Sequence, residues 1–153
     1  MTRYAANTDV PSDRSRSEIE KILTRYGATS FAYMNAPGRA VIAFEAQERR
    51  VVFTLPLPDK AAREFTHHSR GLRAPPAANE AWEQACRQRW RALALVIKAK
   101  LEAIECGITS FENEFLAHIQ LPDGQTVGEH LKDRIAIAYR DNQMVPLLPG
   151  PRA

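Results

Sequence analysis

Between Gln84 and Lys100 the chain carries five cations and no carboxylate: Arg87, Arg89, Arg91, Lys98 and Lys100. Arg87, Arg91 and Lys98 are separated by four and seven residues, which sets them on one stripe of a helix. Cations in such a row can track a phosphate backbone, each contact releasing condensed counterions. Arginine suits the task because its planar fork matches phosphate oxygens. Two further arginines, Arg70 and Arg73, stand just upstream in the segment PLPDKAAREFTHHSRGLRAPPAA. A second pattern is aromatic. Phe31 and Tyr33 alternate in a β-prone run, with Arg39, Arg49 and Arg50 on nearby turns. Such aromatics either line a core or stack bases of single-stranded nucleic acid.

Other chemistries find little footing. The four histidines are His67, His68, His118 and His130, and no carboxylate or cysteine stands at a zinc-ligand spacing from them. No GxxxxGK, GxGxxG or GxSxG motif occurs. Glu112, Glu114 and Asp123 read as solvated charges near helix starts and a turn rather than as a magnesium site. Cys86 and Cys106 form no CxxC pair. On one continuous helix they would lie about 30 Å apart, beyond disulfide reach, so they read as free thiols of a cytoplasmic protein. The expectation is therefore no catalytic set, no metal and no cofactor.

The elements that must hold these residues follow from periodicity. Residues 1–14 read as a polar, mobile arm. Ser17 and Glu20 have capping-box spacing, ahead of the helical stripe Ile19, Ile22, Leu23 and Tyr26, which Gly27 would close. Residues 29–55 switch to period two and read as three antiparallel strands separated by Ala36-Pro37-Gly38 and Gln47-Glu48-Arg49. Residues 56–78 read as a long basic loop. Asn79 then looks like the N-cap of a helix running to about residue 106, with Trp82, Cys86, Trp90, Leu93, Ile97, Leu101 and Ile104 on its apolar face. In the last third, Ser110 and Thr126 are candidate caps, and 118–127 reads as a short hairpin around Pro122-Asp123-Gly124. Residues 145–153, with three prolines, read as an extended tail.

The fold class expected is α+β: a small antiparallel three-stranded sheet packed on a long central helix, with a mixed helix and hairpin C-terminal third. It forms a single domain over residues 15–144. The chain's 153 residues, 44% hydrophobic and 25% charged, suit one globular domain with its own core. No apolar run approaches the length of a membrane-spanning helix, and the N-terminus lacks a signal-peptide apolar stretch. The net charge of +3 is unevenly placed. Residues 1–101 hold 17 Lys/Arg against 10 Asp/Glu, whereas residues 102–153 hold 4 against 8. That asymmetry points a basic surface at an acidic partner.

The runs RSRSEIEKILTRYGATSFAY, RRVVFTLPLPD, WEQACRQRWRALALVIKAKLEAIECGI and EFLAHIQLPDGQTVGEHL span most of residues 14–150. On them the chain resembles a family of small uncharacterised proteins encoded by bacteriophages and prophages. The resemblance implies a mobile-element context in a bacterial cytoplasm, and it carries no activity. Two functions are thus expected from the sequence. The first is a non-catalytic accessory protein that binds DNA or RNA through Arg87, Arg91 and Lys98, assisted by Arg70 and Arg73. The second is a protein–protein adaptor or inhibitor of a host or phage protein, with Trp82 or Trp90 as anchor.

Overall fold

The computed structural model describes residues 1–148, 150 and 151. Pro149, Arg152 and Ala153, part of the segment read as a proline-rich tail, lie outside the described residues. The architecture is α+β. Helix α1 (Ser12–Arg25) precedes a meander of β1 (Ser30–Ala36), β2 (Arg39–Ala46) and β3 (Arg49–Pro56). A short helix α2 (Arg63–Thr66) and a two-residue hairpin, β4 (His67–His68) with β5 (Gly71–Leu72), lead into the 31-residue α3 (Pro75–Glu105). Helix α4 (Phe111–Phe115), a 3-10 turn (Leu116–His118) and α5 (Val127–Asp141) complete the chain.

The sheet has the order β1-β2-β3, fully antiparallel. Its register places Tyr33 opposite Ile42 and Ile42 opposite Phe53, so these side chains share one face. That face, with Ala40, Phe44, Val51 and Leu55, packs against α1 and α3, and Tyr33 on the β1 side stays exposed. Trp90, Leu93, Ile97 and Leu101 supply the α3 side of the core, and Ile19 and Leu23 the α1 side. Phe115 of α4 closes one end, edge-on to both Phe44 and Phe53. The opposite face of the sheet, carrying Ala32, Met34, Val41, Ala43 and Val52, has no helix over it among the described residues. The β2–β3 turn holds Gln47 and Glu48 at φ 49° and 60°. Both lie in the left-handed region that a tight two-residue hairpin needs.

Several boundaries differ from the sequence expectation. Helix α1 starts at Ser12, behind Pro11, so Ser17 and Glu20 sit inside the helix and form no capping box. Proline's fixed φ and missing N–H favour a helix start immediately after it. Likewise α3 starts at Pro75 rather than after Asn79. Two prolines are tolerated in a first turn, whose N–H groups lack helical partners anyway. Asn79 instead donates to the Glu83 carboxylate within the helix, at 2.8 Å. The segment 56–78 is not one open loop: it holds α2, the β4–β5 hairpin and the first turn of α3, and α2 buries Phe65. Residues 4–8 lie along α3, where Gln84 donates to the Ala6 and Thr8 carbonyls and Gln88 to the Tyr4 carbonyl.

In the C-terminal third both candidate caps are realised. Ser110 accepts from the Asn113 N–H, and Thr126 forms a reciprocal box with Glu129. The expected 118–127 hairpin shrinks to a single bridge between Gln120 and Thr126, because His118 is still in the 3-10 turn. Ile119 instead bridges Val51 and extends the sheet at its β3 edge.

Candidate nucleic-acid interface

Helix α1 runs alongside α3 in the same direction, as two cross-links along the pair establish. Near the middle, both terminal nitrogens of Arg91 donate to the two carboxylate oxygens of Glu18, at 2.6 and 2.9 Å. At the C-terminal end, the Tyr26 hydroxyl donates to Glu105. That bond to a carboxylate pushes the Tyr26 pKa up to about 12. The carboxyl of Glu18 is held below the ordinary glutamate value, chiefly by the Arg91 hydrogen bond. The charges of Lys98 and Arg14 act in the same direction.

Three cations therefore gather around one carboxylate: Arg91 and Lys98 from α3, Arg14 from α1. Arg14 and Lys98 are exposed, and neither joins an ion pair among the described residues. Lys21 and Arg25, also exposed, continue the α1 stripe at seven and eleven residues from Arg14. Glu20 of α1 and, at the C-terminal end of the seam, Glu102 and Glu105 of α3 are exposed carboxylates beside them. Around Glu18 these groups leave surplus positive charge on the α1–α3 seam, a ridge able to hold phosphate, while Glu102 and Glu105 make its C-terminal end acidic.

The other expected residues go elsewhere. Arg87 keeps to the stripe but is matched inside α3, donating to Glu80 at 2.6 Å and to Gln84, with Glu83 at 3.9 Å. Arg70 and Arg73 belong to the hairpin that precedes α3. Arg73 lies two residues before Pro75, whereas Arg91 is about 24 Å farther along the helix, so the hairpin and the ridge are separate features. Of the remaining α3 cations, Arg89 donates to the Pro56 carbonyl and Lys100 to Glu114. The five cations of the acid-free stretch thus point in three directions. Arg14 and Lys21 escaped the sequence reading. Starting the helix at Ser17 left Arg14 in the arm and hid its spacing to Lys21 and Arg25.

A cleft of about 320 Å³ opens at the N-terminal end of the seam. Asp13 and Arg16 of α1, Tyr33 and Asn35 of β1, and Trp82, Cys86, Arg87 and Trp90 of α3 line it. Tyr33 and Trp90 pack at 5.7 Å between ring centroids, tilted by 52°. The Arg16 guanidinium lies 4.2 Å from the Tyr33 ring centre and 5.8 Å from that of Trp90, while pairing with Asp13. Lys60 sits 5.1 Å from the Trp82 ring, whose indole N–H donates to the Pro58 carbonyl. Burial pushes the Cys86 thiol up, which keeps it protonated and a poor nucleophile.

The three carboxylates weighed as a magnesium site are held in separate pairs. Glu112 meets Arg49, Glu114 meets Lys100 and Asp123 meets His130. Among the described residues no group of three or more His, Cys, Asp and Glu is placed to hold a metal ion. Nor, among them, is any helix long and apolar enough to cross a membrane. No family model, curated protein or solved structure matches the chain.

Proposed function

We propose that this chain is a phage or prophage accessory protein that binds nucleic acid without catalysis, along the α1–α3 seam. The observation that carries the reading is the gathering of Arg91, Lys98 and Arg14 about the single carboxylate of Glu18. A phosphate arriving there meets Lys98 and Arg14, which are exposed and have no ion partner among the described residues, while Arg91 stays on Glu18. Contacts of this kind neutralise phosphate regardless of sequence, so the affinity is set by salt rather than by base identity.

The test is fluorescence anisotropy with labelled single- and double-stranded DNA and RNA at a series of salt concentrations. Log affinity should fall with log salt with a slope of about 0.7–0.9 per phosphate contact. Lys98→Glu with Arg14→Glu should abolish binding, while Arg70→Glu with Arg73→Glu should leave most of it. Absence of binding to all four probes at low salt overturns the reading.

One observation favours the adaptor reading beside it. Helix α5 leaves Ile135 and Tyr139 exposed, and Leu116 of the 3-10 turn and Met144 beyond α5 are exposed as well. Exposed apolar and aromatic side chains suit a protein partner. A stoichiometric partner recovered from nuclease-treated host lysate, and lost with Tyr139→Glu, is the result that would move the function to that end of the molecule.

A further inference from the structure

The cleft at the N-terminal end of the seam is built differently from the ridge. We infer that it is a stacking site for one unpaired nucleobase, so that the strand preferred by the ridge is single. This inference rests on the proposed nucleic-acid reading and names the form of the ligand.

Three observations carry it. First, Tyr33, Trp82 and Trp90 all line the cleft, and the planar Arg16 guanidinium already lies against the Tyr33 ring. A base can stack on that guanidinium or replace it on the ring. Either contact uses the π-face that every base presents, so it needs no particular sequence. Second, the cleft's volume of about 320 Å³ falls at the small end of ligand sites, room for a base and its sugar but not for a duplex. Third, its polar groups suit a nucleotide. Asn35, Asp13 and Glu83 offer hydrogen-bond partners to base edges, and Arg87, paired with Glu80 inside α3, lines the same cleft. The two carboxylates are already neutralised in part, Asp13 by Arg16 and Glu83 by Arg87 at 3.9 Å. Pro11 caps α1 without a side-chain hydrogen bond, leaving the first-turn N–H groups beside Ser12 and Asp13 at the cleft's rim.

The chain supplies its own reporter. It has two tryptophans, and both line this cleft. Trp90 is 3% exposed and Trp82 the more accessible of the two, so a base stacked there should quench the Trp82 part of the emission. Titrations with an oligo(dA) strand, with the corresponding duplex and with adenosine monophosphate would be read by tryptophan emission, and the oligomers also by anisotropy. The expected result is quenching by the single strand and not by the duplex. Tyr33→Leu should weaken single-strand binding about fivefold or more, the range seen when one stacking platform is removed. Arg16→Lys keeps the charge but loses the planar fork. It should reduce quenching while leaving the salt slope as in the wild type, and its surface position keeps the test valid if Tyr33→Leu does not fold.

Anisotropy that reports binding with unquenched tryptophan, and with wild-type affinity in both variants, overturns the stacking site and leaves the ridge standing. Quenching by adenosine monophosphate without binding of any oligomer supports the cleft as a nucleotide site and removes the ridge. Neither signal from any probe overturns both.

Discussion

Trp90 joins the sheet to the long helix: it is 3% exposed, packed on Tyr33 and flanked by Cys86 and Leu93. Trp90→Ala should destabilise the protein by about 3–5 kcal/mol in denaturant melts, the usual result of emptying a large aromatic site. Its burial was legible because steps of three and four along one helix need no knowledge of the rest of the chain. Arg91, one residue on, was not. On sequence grounds it points clear of the core and its removal costs less than about 0.5 kcal/mol. In the fold it is half-buried and bidentate to Glu18, 73 residues earlier. Arg91→Ala should cost about 1 kcal/mol, at the upper end for a partly exposed pair. Because Glu18 has a lowered pKa when folded, that contribution is present at neutral pH and disappears as pH falls through the folded-state value. Wild type and variant should converge in acid melts. His118 gives a second pH signature. It stacks on Phe53 at 4.0 Å, and burial, with Lys100 nearby, holds its pKa below the ordinary histidine value. The unfolded chain then takes up the proton first. Stability is therefore full above the ordinary value and declines as pH drops below it. Between about pH 8 and pH 5, His118→Leu should flatten that part of the curve.

At the scale of elements, the short-range signals were the readable ones. Ser110 and Thr126 cap their helices because a hydroxyl three residues before a free N–H is a local arrangement. Ser17 carries the same signal and caps nothing, since Pro11 had already started α1. Asn79 lost to Pro75 in the same way: the two prolines form the first turn of the helix, ahead of the residue whose side chain suits a cap. The close approach of α5 to the 3-10 turn was invisible in the sequence. Gly128 is helical there, and a Cβ on it would come within 2.8 Å of the Ala117 carbonyl oxygen. Gly→Ala inside a helix ordinarily stabilises by up to about 1 kcal/mol. Here Gly128→Ala should instead destabilise by about 1–3 kcal/mol, as overpacking does. A lowered melting temperature for this variant, against a rise at an open helical position, is the check.

For the molecule as a whole, contacts divide by range. The sheet is a meander whose strands pair with their immediate neighbours, whereas α1 meets α3 across 73 to 79 residues. Fourteen residues of helix are marginal alone, so α1 depends on docking against α3 for its persistence. In native-state hydrogen exchange the α1 amides should open at a lower free energy than those of β2, and a nucleic acid on the seam should slow the α1 amides most. The charge asymmetry of the two chain segments was plain from the sequence. The seam that concentrates it was not, because its decisive carboxylate and arginine are distant in the chain.

The sheet's open side has a consequence for handling the protein. Strand β1 pairs on one edge only, and its sequence, SFAYMNA, has no charge and no proline. Natural sheets usually protect such a border with lysine, proline or a bulge. Here the border and the bare Ala32–Met34 face beside it offer a template to any other extended chain. Concentrated samples, and variants that loosen α1, should therefore self-associate before they unfold. Ala32→Lys, which sets a charge on that face without touching the core, should raise the concentration at which light scattering first detects larger species.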